Sequence, residues 1–158
     1  MVVVRRAEPE DAETAVAVVR RSISELCTDD HQGDPDTIAR WLSNKTVQNF
    51  ISWMANDDNF FVIAENRGHL SGVGLLHRSG EINLFYMAPN AQRQGIGKAI
   101  HLALEQKARE WELQELKLHS TALACSFYEK MGYRPAGVKT PRFGVLYSYP
   151  YKKRLHEL

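Results

Sequence analysis

Residues Gln92-Arg93-Gln94-Gly95-Ile96-Gly97 follow an apolar run, Ile82 to Met87, and precede a pattern with Ile96, Ile100, Ala103, Leu104, Ala108 and Trp111 on one helical face. Strand, glycine loop and helix therefore meet within a few residues. A helix start leaves backbone N–H groups without partners and carries about half a positive charge, and glycines let an anion approach the chain. This junction predicts a ligand that carries phosphate.

Upstream, Phe60 to Ala64, Ser71 to Leu76 and Ile82 to Met87 are short strand-like runs. Asn66-Arg67-Gly68 and Arg78-Ser79-Gly80 between them are hairpin turn sequences, so a three-strand antiparallel meander is expected. Val2 to Val4 reads as a first strand. Glu8-Pro9 then opens a helix with Ala12, Ala15, Val16, Val19, Ile23 and Leu26 at helical spacing. An acidic loop, Thr28 to Asp34, leads to a helix opened by Asp34-Pro35, and Thr46 caps another carrying Val47, Phe50, Ile51 and Met54.

Downstream, Leu116 to His119 resumes strand character. Strand, helix and strand make a crossover, so Leu116 to His119 should run parallel to Ile82 to Met87. A helix follows from about Ala122 to Met131, closed by Gly132. Tyr133 to Ala136 and the alternation Phe143, Val145, Tyr147, Tyr149 predict two closing strands, the last ended by Pro150.

The chain has 158 residues, the size of one domain, and a net charge of +1, so no bulk field favours nucleic acid or a membrane surface. Cys27 and Cys125 form no Cys-x-x-Cys pair, which fits a reducing compartment and makes the cytoplasm the expected location. No stretch approaches the roughly 18 apolar residues of a membrane span, and Met-Val-Val-Val-Arg-Arg reverses the order of a secretory signal. The six histidines show no metal-ligand spacing, so no metal is expected.

Two common phosphate loops fail to match. A P-loop needs glycine where Gln92 stands and Ser or Thr where Ala99 stands, and a dinucleotide fingerprint needs a third glycine where Ile100 stands. The segment instead resembles the pyrophosphate loop of the GNAT superfamily of acyl-CoA-dependent N-acyltransferases, Gln/Arg-x-x-Gly-x-Gly/Ala. The downstream segment Phe127-Tyr128-Glu129-Lys130-Met131-Gly132-Tyr133 is similar to a second motif of that family. The element order matches along essentially the whole chain. The resemblance implies an α/β (α+β) fold in one domain, residues 1–158. Its mixed, mostly antiparallel sheet would have about six or seven strands flanked by about four or five helices, with a parallel pair splayed around the acyl-CoA.

The resemblance also implies roles. Backbone groups of Phe85 and Met87 would be freed by a bulge to meet the donor, with the Phe85 N–H facing the thioester oxygen. Gln92, Arg93, Gln94, Gly95, Gly97, Lys98 and Ala99 would hold the pyrophosphate, by backbone N–H groups and by the charges of Arg93 and Lys98. Thr121 stands where many members have Asn, and offers a shorter reach to the pantetheine arm. Tyr128 would protonate the departing thiolate. Glu81, four residues before Phe85, is the candidate base, with His77, Asp29 and Asp30 as other candidates; a solvated strand start is the ordinary reading of Glu81. Cys125 reads as an inert buried thiol.

The function implied is direct transfer of an acetyl group from acetyl-CoA to a primary amine, by a monomer or homodimer. The alternative is a non-catalytic acyl-CoA-binding module, toward which Thr121 leans. Asp29, Asp30 and Asp34, with Trp41 and Trp53 nearby, suggest a cationic acceptor.

Overall fold

The strand-like runs alternate faces, and that alternation builds two cores. The computed structural model describes residues 1–91 and 93–155. Strands β1 (Val2–Arg6), β2 (Asn59–Asn66), β3 (His69–His77) and β4 (Ile82–Met87) form an antiparallel sheet in that order. The β2–β3 hairpin turns at Arg67 and Gly68, φ 53° and 80°, the left-handed pair that matches strand twist.

Phe61, Ile63, Val73, Leu75 and Leu84 face helices α1 (Ala12–Leu26), α3 (Pro35–Leu42) and α4 (Val47–Ala55). Between α1 and α3 lies the single turn α2 (Thr28–His31). Val62, Ala64, Leu76 and Ile82 face helix α5 (Ile96–Glu110) on the other side. Gly72 and Gly74 lie beneath α5. A Cβ at Gly72 would meet Ile100 and Ile96 at 2.7 Å, and one at Gly74 would meet Ile100 at 2.5 Å. The absence of side chains there lets the helix seat directly on β3.

A second antiparallel sheet pairs β5 (Glu115–Ser120) with β8 (Leu146–Arg154), and β8 with the two-residue β6 (Arg134–Pro135) and with β7 (Thr140–Phe143). Helix α6 (Cys125–Lys130) precedes β6 and ends with Gly132 at φ 98°, where Tyr133 N–H closes back on Tyr128 O at 3.0 Å.

Several expectations change. The strands divide between two four-stranded sheets rather than forming one. The anticipated parallel ladder between β4 and β5 is reduced to an isolated parallel bridge, Glu81 with Lys117, because the strands separate beyond it. The acidic loop contains a helical turn, α2, and α6 starts later than expected, after Ala124 N–H bonds back to Thr121 O. Phe143 and Val145 do not continue into one strand, since Gly144 and Val145 turn the chain from β7 into β8. Pro150 sits inside β8 rather than ending it. Its carbonyl accepts from Ala136, so its missing donor points toward the short edge strand β6 and leaves the β5–β8 ladder whole.

Candidate active site

Beyond Glu81 the edge of β4 that faces β5 forms no ladder. Which backbone groups it presents follows from the register with β3. Opposed residues in an antiparallel pair alternate between bonded and non-bonded positions. Ala88 N–H donates to Ser71 O at 2.8 Å, so Tyr86, opposite Val73, shares the bonded phase. Phe85 and Met87, opposite Gly74 and Gly72, fall in the other phase, and their N–H and C=O turn away from β3 toward the gap. A register shift leaves Asn83 bulged in β4, just before these residues.

At the end of this edge Gly95 caps α5 at φ 78°. The N–H groups of Gly95, Ile96, Gly97 and Lys98 precede the first intrahelical bond, which Ala99 N–H makes to Gly95 O at 3.1 Å. Ala99, named as a pyrophosphate donor from the sequence, has therefore already used its N–H; Ile96, not named, has not. Gln94 ties the loop to the β2–β3 turn, accepting from Asn66 Nδ2 at 2.8 Å and donating to Asn90 O at 3.4 Å. Arg93, at φ 64°, and Lys98 are exposed beside it. Gln92 lies outside the described residues.

Helix α6 closes the gap from the other side. The Tyr128 ring lies 5.7 Å from that of Phe85 and 5.3 Å from that of Tyr133, centroid to centroid. Burial pushes its phenol well above the ordinary value, reinforced by Tyr86 and Cys125. Phe127 packs on Phe85, 5.5 Å between centroids, and stands where a Cβ on Gly97 would meet it at 3.3 Å. Sequence reading assigned Phe127 no role, although it joins α6, β4 and the start of α5. Thr121 Oγ1 accepts from Ala124 N–H at 3.1 Å, so its oxygen caps the entry to α6 and only its O–H remains to donate.

A cavity of about 620 Å³ lies between the α3–α4 connection, β4, the end of β5 and the β7–β8 hairpin. Glu81, His77, Thr121 and Tyr86 line it, together with His119, which sequence reading missed. His119 lies on β5, and nothing local told which face of that strand would border a cavity. The Tyr86 hydroxyl accepts from Trp41 Nε1 at 3.2 Å, and burial lifts its phenol to about 12.

The acidic loop does not border the cavity. Buried Asp30 accepts from Ala122 N–H at 2.7 Å and Leu123 N–H at 3.3 Å, fastening α2 to the start of α6. Asp34 caps α3 by accepting from Thr37 N–H at 3.1 Å, and Asp29 is exposed. Trp41 and Trp53 do line the cavity, so only the aromatic half of the expected cationic subsite is present. Cys125 is half-buried and donates to Thr121 O at 3.2 Å. Among the described residues no group of three His, Cys, Asp or Glu could hold a metal ion, and no helix is long and apolar enough to cross a membrane.

The open strand edge, the glycine-capped helix start and the buried tyrosine border one gap between β4 and α6. The family model for the acetyltransferase (GNAT) domain matches residues 26–155, and the chain belongs to that family of acyl-CoA-dependent acetyltransferases, whose acyl donor is acetyl-CoA. A Bacillus subtilis (strain 168) protein whose acetyltransferase name is itself provisional is 34% identical over 64 residues, 40% of this chain. That match spans 44% of the relative's length. Among solved structures, a GCN5-related N-acetyltransferase from Rhodopseudomonas palustris superposes with a TM-score of 0.85 at 22% identity, covering 97% of this chain and 95% of that one. The PaiA N-acetyltransferase of Thermoplasma acidophilum, solved in complex with coenzyme A, gives 0.82 at 21% identity over 98% and 99%. A Salmonella typhimurium protein solved with its cofactor acetyl-CoA gives 0.74 at 15% identity over 100% and 96%. These likenesses show the fold.

Proposed function

We propose that the protein is an N-acetyltransferase that moves an acetyl group from acetyl-CoA directly to a primary amine, through a tetrahedral intermediate. The open edge of β4 carries this reading: it borders the α5 start at one end and faces the Tyr128 ring, while the cavity with Glu81 reaches Tyr86 and Thr121 beside it. The coenzyme A and acetyl-CoA in two of the structural relatives support the donor assignment.

In the proposed reaction the amine nitrogen attacks the thioester carbon. The Phe85 N–H donates to the developing oxyanion, an interaction whose loss elsewhere costs about 2.7–4 kcal/mol. The N–H groups from Gly95 to Lys98 hold the pyrophosphate. Glu81 takes the proton that the ammonium must lose, through water, since an alkylamine with a pKa near 10 is mostly charged at neutral pH. As the intermediate collapses the C–S bond breaks and the thiolate leaves toward Tyr128. A phenol raised above about 10 transfers its proton uphill to a thiolate of ordinary pKa, about 8.5. Tyr128 therefore acts first as a hydrogen-bond donor to sulfur; its proton passes over as the bond breaks, and the phenolate regains one through water from the proton that Glu81 removed from the amine.

The same proposal takes residues 1–158 as one domain, a monomer or homodimer. It places the enzyme in the reducing cytoplasm, supported by the free thiols of Cys27 and Cys125. Free-thiol release from acetyl-CoA over a panel of amines tests it. Turnover with at least one amine is expected; coenzyme A binding without turnover on any amine would leave the non-catalytic binding module as the better reading. A folded Gly97→Glu variant should bind coenzyme A at least tenfold more weakly, because a carboxylate would face the phosphates.

A further inference from the structure

Among the described residues three basic side chains line the acceptor cavity, Arg40, Lys45 and Arg142, against one carboxylate, Glu81. The whole chain carries a net charge of only +1, so this bias is local. Arg40 is already paired, its Nε 3.1 Å from Asp36. Lys45 and Arg142 are not: among the described residues neither has a carboxylate partner.

Lys45 is 8% exposed. Its Nζ donates to Trp41 O at 3.2 Å and Asn44 Oδ1 at 2.6 Å, two neutral acceptors for a group with three donors. Burying an ammonium without a counter-charge is costly, and burial, followed by the field of Arg142, pushes its pKa down to about 8. Lys45 comes from the α3–α4 connection and Arg142 from β7, so the fold brings two uncompensated cations to one cavity, close enough that the charge of Arg142 acts on Lys45. Glu81 lines the same cavity from the root of β4.

We propose that the acceptor amine also carries an anionic group, a carboxylate or phosphate, seated between Lys45 and Arg142 while its amino group faces Glu81 and the β4 edge. The inference rests on the acetyltransferase reading and adds the acceptor's chemical class. An anion there gives Lys45 its missing counter-charge and uses its third N–H, and the arginine fork supplies a bidentate partner. A dication would meet both cations with only Glu81 in return.

The test is thiol release from acetyl-CoA with matched acceptors: amino carboxylates against their carboxamides, aminoalkyl phosphates against the amino alcohols, and alkyl diamines. One anionic series should exceed its neutral partners at least tenfold in kcat/KM, chiefly through KM, and the series that does so distinguishes carboxylate from phosphate. Arg142→Ala, at an exposed position on β7, should lower the anionic-to-neutral kcat/KM ratio about tenfold, and Lys45→Met should lower it further. Arg142→Glu should shift preference toward diamines. Equal or better turnover of carboxamides or diamines by the parent enzyme would overturn the anion site, as would an unchanged ratio in both Arg142→Ala and Lys45→Met. Should no amine turn over, the acetyltransferase reading fails separately. Thermal stabilisation of the coenzyme A complex by amino carboxylates or aminoalkyl phosphates but not their neutral partners would then uphold the anion site, and its absence would overturn it.

Discussion

The rings of Phe85 and Tyr128 stand 5.7 Å apart and tilted by 57°, one on the open strand β4 and the other on helix α6. The contact joins two segments that the sequence separates by the whole glycine loop, α5 and β5. It holds the phenol beside the β4 edge whose Phe85 and Met87 backbone groups face the gap.

Tyr128→Phe keeps this ring contact and those to Phe127 and Tyr133 while removing the hydroxyl. We expect turnover to fall by about 10²-fold, the low end of general acid effects, with coenzyme A affinity nearly unchanged. Steady-state kinetics and calorimetry on one preparation check both. Parent-like turnover would pass the acid role to solvent.

Glu81→Gln removes the carboxylate without changing the bulk of the side chain. Turnover at neutral pH should fall, and the deficit should shrink toward pH 10 as free amine becomes abundant. A pH–rate profile that superposes on the parent's would reduce Glu81 to a strand start and turn attention to His77 and His119 in the same cavity.

Gly74→Ala probes the seat of α5 on β3. The added methyl would lie 2.5 Å from Ile100 Cγ2, well inside contact distance, and Ile100 is fully buried. Overpacking of this kind destabilises by about 1–3 kcal/mol. Urea denaturation should show a lower midpoint at unchanged slope, and an unshifted midpoint would mean that α5 rides less tightly on β3.

Lys45 should leave a signature in stability against pH. Its folded pKa, about 8, lies below the ordinary 10.5. Between those values the unfolded chain holds a proton that the folded chain has released, so stability rises with pH across the window. Below pH 8 the full penalty is present, about 3 kcal/mol at most. Cys27, raised by burial from 9.0 to about 12, acts oppositely above pH 9, so the informative quantity is the difference between the parent and Lys45→Met. The variant should be the more stable at pH 7, and its advantage should vanish by about pH 10.5. A constant difference would show that Lys45 carries no buried charge.

Local features were legible in the sequence because their causes lie within a few residues. Asp34 and Thr46 cap their helices through N–H groups three positions on. The β2–β3 turn follows from Arg67-Gly68, the α5 start from Gly95 and Gly97, and the Gly132 closure of α6 from its left-handed backbone. The motifs around Gly95 and Tyr128 led to the family, and Phe60 to Ala64 read as a strand, though only the fold sends Phe61 and Ile63 to one core and Val62 and Ala64 to the other.

The acceptor side was decided only in three dimensions. Asp30 looked like a free carboxylate until the fold set it against Ala122, 92 residues away. Pro150 looked like a strand end until its missing donor proved to face the short edge of β6. Lys45 and Arg142 carry no shared motif, and their charges meet only because the α3–α4 connection and β7 border one cavity. Turns and caps obey rules that act within a single turn of chain. The charge of a cavity is the sum over segments that meet by folding, and burial alone turns Lys45 from a solvated cation into one that needs a counter-charge.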